Sequence, residues 1–251
     1  MADRDELIYG RRPVLEALQS GSGVRRVLLA AGSKRGGIIA DIQAAAEAAG
    51  VPVVEVARQT LDRRVSATHQ GVAAEVAPFR YATVDEIVEA ARRTDEPLLL
   101  LLLDGLQDVH NFGALLRTAE AVGVHGVLIP KDRSVSVTST VYKTSAGAVS
   151  YVPIAQVTNL VRTMNDLKQR GLWFVGLDMA GAQRYDQARL TGPLGVVIGA
   201  EGHGLGRLVA ESCDFLVHLP MHGRIESLNA SVAGSVLLYE VLRQRQNPGP
   251  S

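Results

Sequence analysis

Three apolar runs, each followed by a few polar residues, constrain the fold of this chain more than any other feature. The runs span residues 98–103, 194–199 and 215–220. Continuous apolar runs of this length are typical of strands that are buried on both faces, as in a parallel sheet. Ligands of open parallel sheets bind beyond the carboxyl ends of the strands, so the polar residues that follow the runs form a candidate active site. These residues are Asn111 and Arg117 after the first run, Glu201 after the second, and Ser227 and Asn229 after the third.

The chain from residue 98 onward alternates predicted strands and helices at regular spacing. This alternation predicts an α/β fold, namely a doubly wound parallel sheet with helices on both faces. A helix that begins near Gly113 would place Asn111 in the preceding loop and Arg117 in the second helical turn. The predicted strands span residues 98–103, 126–129, 151–154, 172–177, 194–198 and 215–219, and the predicted helices span 113–122, 138–148, 158–170, 205–209 and 227–246.

The first part of the chain, residues 1–78, is predicted to form a small α/β domain of its own. About 80 residues suffice for a small core. Residues 79–97 are predicted to be a linker that contains one helix, in which Thr83 and Glu86 have the spacing of a capping box. The domain organisation is therefore 1–78, linker 79–97, and 98–251. The predicted N-terminal strands span 24–30, 51–56 and 71–76, and the predicted helices 12–19 and 37–49.

The charge balance gives no global signal for a nucleic-acid or membrane partner. The chain has 26 Lys and Arg residues against 26 Asp and Glu residues, so its formal net charge is zero. An RNA partner would have to be held by local patches. The alternative is that the candidate arginines lie at solvated helix or loop ends. The candidates are the arginine pairs 11–12, 25–26, 63–64 and 92–93.

The single cysteine and the absence of long apolar segments further restrict the class of protein to which this chain can belong. With Cys213 alone, no intramolecular disulfide can form and a cysteine-based metal site is not expected. The first residues, MADRDELIYG, are too polar for a signal peptide, and no run reaches the roughly 20 apolar residues of a membrane span. We therefore expect a soluble cytoplasmic protein without a membrane segment or a metal.

A glycine-rich loop follows the second apolar run. Residues 199–206 contain four glycines in eight positions, which lets backbone groups approach a ligand closely. The alternative is a loop that merely needs positive φ angles. The loop does not match G-x-G-x-x-G, and the chain contains neither a Gly-Lys-Ser/Thr phosphate loop nor a G-x-S-x-G motif. A nucleotide-dependent oxidoreductase is therefore disfavoured.

Each candidate side chain has a chemical and a structural interpretation. Arg117 is suited to binding a phosphate, or it is an ordinary helix-surface arginine. Glu201 can orient an arginine or accept from a substrate hydroxyl, or it is a solvated loop acid. Ser227 or Asn229 can cap the last helix and also leave helix N–H groups free for an anion. That helix is apolar almost all round, so either the sheet or a second subunit should cover it.

Three sequence blocks in the C-terminal part resemble the motifs of the SpoU (TrmH) family of RNA ribose 2′-O-methyltransferases. The first is NFGALLRTA at residues 111–119, and the second is IGAEG at residues 198–202. The third combines LPM at residues 219–221 with SLNAS at residues 227–231. The blocks occur in the order found in the family, which is more specific than any single block. The departures from the pattern are small: Phe112, Ile225 and Glu226.

The resemblance extends over nearly the whole chain. YGRRPVLEAL at residues 9–18 and HQGV at residues 69–72 resemble the substrate-binding domain of two-domain family members. PKDRS at residues 130–134 and VTNLVRTM at residues 157–164 are most similar to members that methylate a guanosine in the P loop of 23S rRNA. The resemblance therefore implies an RNA ribose methyltransferase with 23S rRNA as its substrate. A transfer RNA, another rRNA nucleotide, or a non-catalytic role in RNA binding or ribosome assembly is the alternative.

The resemblance also implies a cofactor, an assembly and residue roles. The family uses S-adenosyl-methionine, held in a C-terminal trefoil knot of the SPOUT type within a homodimer. Gly199, Leu219 and Leu228 match cofactor-binding positions. The N-terminal domain is expected to bind RNA through Arg11 and Arg12, so its deletion should weaken RNA binding and leave cofactor binding intact. The positions that match catalytic and substrate-handling residues are Asn111, Arg117, Glu201, Ser227 and Asn229.

An arginine is too basic to act easily as a general base for the weakly acidic 2′-hydroxyl group. We therefore expect Arg117 to grip the adjacent phosphate and stabilise the developing alkoxide. In this interpretation Asn111 and Glu201 orient Arg117, while Ser227 and Asn229 hold the cofactor loop and the nucleotide.

Overall fold

The computed structural model describes residues 6–21, 23–33, 36–65, 68–224 and 227–247. Ile225 and Glu226, which depart from the family pattern, lie outside the described residues. The chain divides into two compact units. The N-terminal unit comprises Met1–Arg80 together with Ser136–Tyr151, and the C-terminal unit comprises Tyr81–Val135 together with Val152–Ser251. The chain therefore passes from one unit to the other three times.

Strands and helices alternate along most of the chain. The strands are β1 (Glu6–Tyr9), β2 (Val24–Ala30), β3 (Val53–Val56), β4 (Val72–Val76), β5 (Leu99–Asp104), β6 (Gly126–Pro130), β7 (Ile154–Val157), β8 (Trp173–Leu177), β9 (Gln183–Arg184), β10 (Leu194–Gly199) and β11 (Phe215–His218). The helices are α1 (Arg11–Gln19), α2 (Ile38–Ala48), α3 (Arg58–Arg64), α4 (Val84–Ala91), α5 (Val109–Ala121), α6 (Ser139–Thr144), α7 (Leu160–Lys168), α8 (Arg207–Glu211) and α9 (Ala230–Gln246), with a 3₁₀ turn at Ala148–Ser150.

The N-terminal unit is built on a four-stranded sheet in the order β1-β4-β2-β3. Strand β4 is antiparallel to both β1 and β2, and β3 is parallel to β2. Helix α1 contacts β2 and β4, and α2 packs on α1. Helix α3 closes a small cluster that contains Leu61, Leu28 and Ala73. Because side chains alternate along a strand, Leu28 and Ala73 lie on one face of the sheet.

The segment Ser136–Tyr151 was expected to belong to the 98–251 domain but is part of the N-terminal unit. Helix α6 packs on β1 and α1, with Val141 and Tyr142 buried. The predicted helix 138–148 is divided, because Ala146 and Gly147 both have positive φ angles (51° and 93°). A side chain at Gly147 would collide with Glu16 of α1. The predicted strand 151–154 is consequently displaced to β7.

The C-terminal unit contains a seven-stranded sheet in the order β7-β6-β5-β10-β8-β11-β9. Every strand pairing in this sheet is parallel. The predicted α/β fold, with a small N-terminal domain and a parallel-sheet C-terminal domain, is confirmed. The buried strand β5 reads Leu-Leu-Leu-Leu-Leu-Asp, and alternate leucines supply both faces of the sheet.

The region predicted as a linker, residues 79–97, contains a core helix of the C-terminal unit. Thr83 caps α4, and the expected capping box with Glu86 is present. Ile87 and Val88 of α4 are buried in the same cluster as Phe174 of β8 and Met164 of α7. The prediction of a separate linker was wrong here, because the apolar face of α4 is covered by the sheet.

Helices α5 and α9 pack against each other, and α9 also contacts β10 and β8. Helix α5 begins at Val109, with Asp108 as its cap, and not near Gly113 as predicted. Asn111 is therefore inside the first turn of the helix and not in the preceding loop. Helix α9 begins at Ala230 and not at Ser227, because Asn229 is the capping residue.

Candidate active site

The candidate site lies at the carboxyl ends of four neighbouring strands, in the sheet order β5-β10-β8-β11. Parallel strands bring all of their carboxyl ends to one edge, where the following loops meet. The loop after β10 carries Glu201, and the loop after β11 leads to Asn229 at the start of α9. The loop after β5 leads to Asn111 in α5. The sheet thereby brings together residues that are far apart in the chain.

Asn111, Glu201 and Asn229 form one hydrogen-bonded network. The Asn111 Nδ2 amide donates to Glu201 Oε1 at 2.7 Å, and Asn229 Nδ2 donates to Asn111 Oδ1 at 2.9 Å. Asn229 Nδ2 also donates to Glu201 Oε1. Asn111 is 5% exposed, so its amide is held in place by burial as well as by its partners. Among the described residues, Glu201 Oε2 receives no hydrogen bond, so it can accept one from a ligand.

Asn229 has a second role in the local structure. Its Oδ1 accepts from the N–H of Ser231 at 3.0 Å and from the Ser231 hydroxyl at 2.6 Å, which caps α9. The Asn229 side chain thus caps α9 through its Oδ1 atom and donates to Asn111 and Glu201 through its Nδ2 atom. Asn229 therefore serves both as the helix cap and as a member of the candidate site, and the sequence was compatible with both roles. Ser227 does not cap the helix; it lies on the wall of the adjacent cleft.

The glycine-rich loop closes tightly on itself. Gly204 N donates to the carbonyl of Ala200 at 3.0 Å, and a Cβ atom on Gly199 would collide with the Gly204 carbonyl. Gly204 has a positive φ angle of 63°. Asp104, at the end of β5, accepts from Gly206 N at 2.7 Å and ties the far end of the loop to the sheet. The glycines therefore permit a turn that other residues could not make.

A cleft of about 500 Å³ lies between this loop and the start of α9. This volume is within the range of small-molecule and cofactor sites. The expected cofactor residues Gly199, Leu219 and Leu228 all line it, and Glu201 lies in its wall. Ile198 adds to the apolar surface. An apolar wall beside loop backbone groups fits a nucleoside, whose ring needs apolar contact and whose edges need hydrogen bonds.

Asp178 is a candidate site residue that the sequence interpretation missed. It follows β8 directly and lines the same cleft. One of its carboxylate oxygens accepts from Ala180 N at 2.8 Å. The signal was present in the sequence, because Asp178 follows an apolar run just as Asp104 does.

Arg117 is not brought into this network within one chain. It is exposed on α5, and no hydrogen bond joins it to Asn111 or Glu201. Arg117 lies six positions after Asn111 in the helix, which corresponds to about 9 Å along the axis and roughly 240° of rotation. Within one chain, Asn111 and Glu201 bind each other and do not contact Arg117, so the orientation of Arg117 by these two residues stays a prediction.

The two predicted RNA-binding arginines lie at the start of α1 in the N-terminal unit. Arg11 N donates to the Gln70 side chain at 3.1 Å, and Arg11 Nε donates to the Gln70 carbonyl at 3.3 Å. Arg12 is exposed. The loop that contains Gln70 therefore orients the first of the two arginines.

Outside the candidate site, the described part of the chain contains neither a metal-binding cluster nor a reactive thiol. Among those residues, no group of three or more His, Cys, Asp or Glu side chains could hold a metal ion. Burial raises the pKa of the Cys213 thiol to about 12, so it stays protonated at neutral pH. The helices that the structure describes are all too short or too polar to cross a membrane.

Comparison with known families identifies the class to which the fold and site belong. The profile of RNA 2'-O ribose methyltransferase substrate binding matches residues 7–82, and that of the SpoU rRNA Methylase family matches residues 98–239. Together with the parallel sheet and its cleft, these matches define an RNA methyltransferase. The chain belongs to the SpoU rRNA methylase family, as its motifs predicted.

Individual relatives cover nearly the whole chain. YacO of Bacillus subtilis (strain 168), a TrmH family protein, is 43% identical over 249 residues, which are 99% of this chain and 100% of YacO. The SpoU methyltransferase AviRb from Streptomyces viridochromogenes, solved in complex with AdoMet, superposes with a TM-score of 0.82. It is 25% identical, and the match covers 97% of this chain and 92% of AviRb. An RNA 2'-O ribose methyltransferase structure has a TM-score of 0.79 and 27% identity, with coverage of 98% and 90%.

Proposed function

We propose that this protein transfers a methyl group from S-adenosyl-methionine to a ribose 2′-hydroxyl group of RNA. The observation that carries the proposal is the Asn111–Glu201–Asn229 network, whose Glu201 lies in the wall of the nucleoside-sized cleft. The favoured target is a guanosine in the P loop of 23S rRNA, supported by the sequence blocks at 130–134 and 157–164. The reaction would take place in the cytoplasm.

The residues of the cleft fit the cofactor that the family implies. Gly199, Leu219 and Leu228 would hold this cofactor. Backbone groups of the glycine-rich loop would supply hydrogen bonds, and the apolar wall would supply contacts with the nucleobase. Asp178 offers a carboxylate to a hydroxyl or ammonium group of the cofactor. When bound, S-adenosyl-methionine supplies an activated methyl group on a sulfonium.

The main task of the protein side chains is to position the ribose hydroxyl. Glu201 is held by two amides through Oε1, which leaves Oε2 to accept a hydrogen bond from a ribose hydroxyl. Asn111 and Asn229 fix the direction of that oxygen. Arg117 would bind the neighbouring phosphate and stabilise negative charge on the attacking oxygen, because a guanidinium combines a positive charge with a planar fork of N–H donors.

A second copy of the chain would explain how Arg117 reaches this site. Val232, Val236 and Tyr239 form an apolar stripe on α9, with side chains 50%, 37% and 52% exposed. Their spacing of four and three residues places them on one helix face. Exposed apolar stripes of this kind mark subunit contacts. We propose a homodimer in which this stripe is covered and each chain delivers Arg117, from the neighbouring α5, to the network of the other chain.

The reaction and its target are tested by mapping ribose methylation of large-subunit rRNA from cells with and without this gene. We expect one 2′-O-methyl group, at the P-loop guanosine, to be absent from the deletion strain. Re-expression of the protein should restore it. An unchanged rRNA map would contradict the rRNA target, and nucleoside analysis of transfer RNA from the same cells would then test the alternative substrate.

A further inference from the structure

The N-terminal unit contains a buried carboxylate that holds two arginines. Glu75 lies on β4 and is 4% exposed. Its Oε2 atom accepts from Arg26 of β2, with Nε at 2.7 Å and Nη2 at 2.6 Å. Its Oε1 atom accepts from Nη1 of Arg64, the last residue of α3, at 2.6 Å. Three elements thus converge on one carboxylate, and we call Arg26, Glu75 and Arg64 the arginine clamp.

The arginine clamp occupies a position where an apolar cluster would be expected. Arg26 and Glu75 are cross-strand partners on the face of the sheet that carries Leu28 and Ala73. Helix α3 covers that face with Leu61 and ends at Arg64. Buried ion pairs contribute little net stability compared with apolar residues of similar volume, so stability alone does not explain the clamp.

The geometry of the clamp leaves its arginines available to a ligand. The Arg26 and Arg64 side chains are 47% and 38% exposed, although the carboxylate between them is buried. Each guanidinium has five N–H groups and uses only some of them on Glu75. Among the described residues, no other group binds the remaining donors. Burial by itself would raise the pKa of Glu75, but the hydrogen bonds and the positive charges of Arg64 and Arg26 together lower this pKa below its ordinary value.

Two positive charges and one negative charge give the clamp a net charge of +1, in a chain whose overall charge is zero. A guanidinium fixed in direction suits the oxygens of a phosphate, because its donors match them in pairs. We propose that the arginine clamp binds the phosphate backbone of the RNA substrate, and that Glu75 is the positioning residue that orients both arginines. This inference rests on the proposed function in that RNA is the substrate, and it adds a contact separate from Arg11 and Arg12.

Three single substitutions and one double variant test the clamp by RNA binding of the full-length protein. Arg26→Lys and Arg64→Lys keep the charge but lose the paired donors, so each should weaken RNA affinity several-fold. Glu75→Gln raises the net charge by one, and a surface that acted only through charge would then bind RNA more tightly. We expect weaker binding instead, because the arginines lose their anchor. A double Arg26→Gln, Arg64→Gln variant should lower the slope of log affinity against log salt by about two, roughly one for each phosphate contact.

The probes are a labelled 23S rRNA fragment that contains the P loop and, in parallel, bulk transfer RNA. Arg170→Lys is the matched control, since Arg170 is exposed and paired with Asp85 on the surface of the C-terminal unit. Thermal unfolding reports whether each variant is folded, and the affinity for S-adenosyl-methionine should be unchanged. If Glu75→Gln does not fold, the two lysine variants decide the test.

The outcomes separate this inference from the proposed target. Loss of affinity for both RNAs in the clamp variants supports the clamp even if the wild-type protein does not methylate the P-loop fragment. Unchanged or tighter RNA binding in all folded clamp variants would overturn the inference.

Discussion

At the scale of single residues, the site depends on one carboxylate oxygen that two amides hold in place. Glu201 projects from a glycine-rich loop, yet Asn111 and Asn229 both donate to its Oε1 atom. Hydrogen bonds to a charged acceptor are about twice as strong as neutral ones. The direction of the free oxygen is therefore set before a substrate arrives, which is the condition for positioning a ribose hydroxyl.

Glu201→Gln should lower kcat by roughly 100-fold, because a neutral amide accepts a hydrogen bond from the ribose hydroxyl less strongly than a carboxylate does. The affinity for S-adenosyl-methionine should change little. Single-turnover methylation and calorimetric binding measure the two effects separately. Glu211→Gln is the control, since Glu211 is an exposed carboxylate that pairs with Arg207. Wild-type turnover of the Glu201→Gln variant would contradict the proposed role of Glu201 in the reaction.

The placement of Arg117 gives a complementation test. Arg117→Ala and Glu201→Ala should each be inactive alone. If Arg117 serves the network of the other chain, a mixed dimer has one site with both defects and one intact site. Co-expression should then restore about one quarter of wild-type activity, because about half of randomly assembled dimers are mixed. No recovery in a purified mixed dimer would show that Arg117 acts in its own chain or not at all.

At the scale of secondary-structure elements, His125 links the amino end of the central strand β5 to the loop before β6. Leu99 N donates to His125 Nδ1 at 3.1 Å, and His125 Nε2 lies 3.2 Å from the Thr94 hydroxyl. Burial, followed by the nearby charge of Arg245, lowers the pKa of His125 below its ordinary value of 6.5. A protonated imidazole would lose the bond from Leu99, because both of its nitrogens donate.

This geometry predicts a pH-dependent stability. The unfolded chain binds the proton more readily than the folded chain, so the free energy of unfolding should decrease as the pH falls from above 6.5 through the lowered pKa. Denaturant unfolding at several pH values measures the slope. His125→Gln should reduce the slope, whereas His222→Gln, at an exposed position, should not. An unchanged slope in His125→Gln would assign the dependence to another group.

At the scale of the whole molecule, the two units are not consecutive segments joined by a linker. The segment Ser136–Tyr151 lies between β6 and β7 in the chain but packs in the N-terminal unit. There α6 buries Val141 and Tyr142, and Tyr151 donates to Glu16 of α1 at 2.8 Å. The interweaving gives the N-terminal unit two covalent connections beyond the one after residue 80.

The structure therefore changes the expected effect of deleting the N-terminal domain. Removal of residues 1–80 should expose the apolar face of α6, which lowers the unfolding temperature and promotes aggregation in addition to weakening RNA binding. Light scattering and thermal unfolding measure these effects. Replacing Val141 and Tyr142 by serine in the truncated chain should reduce aggregation. A truncated protein as stable as the full chain would contradict this prediction.

Sequence alone was sufficient wherever structure depends on local pattern. The apolar runs predicted β5, β10 and β11 within one to two residues, because strands buried on both faces are nearly continuous apolar runs. The same runs placed Asn111, Glu201 and Asn229 at one edge of the sheet, and the family motifs agreed with this placement. The capping box of α4 was read correctly from two residues three positions apart.

Contacts between distant segments could not be predicted from the sequence, because they depend on how the whole chain packs. The amphipathic pattern of α4 does not say which surface covers Ile87, so a core helix resembled a linker. The pairing of Glu75 with Arg26 and Arg64 depends on strand register and on where α3 ends, neither of which the local sequence encodes. Arg117 and Asn111 are near in the chain but point in different directions on one helix. Sequence therefore determined which side chains could carry the chemistry, and the packing of the sheet and helices determined which of them meet.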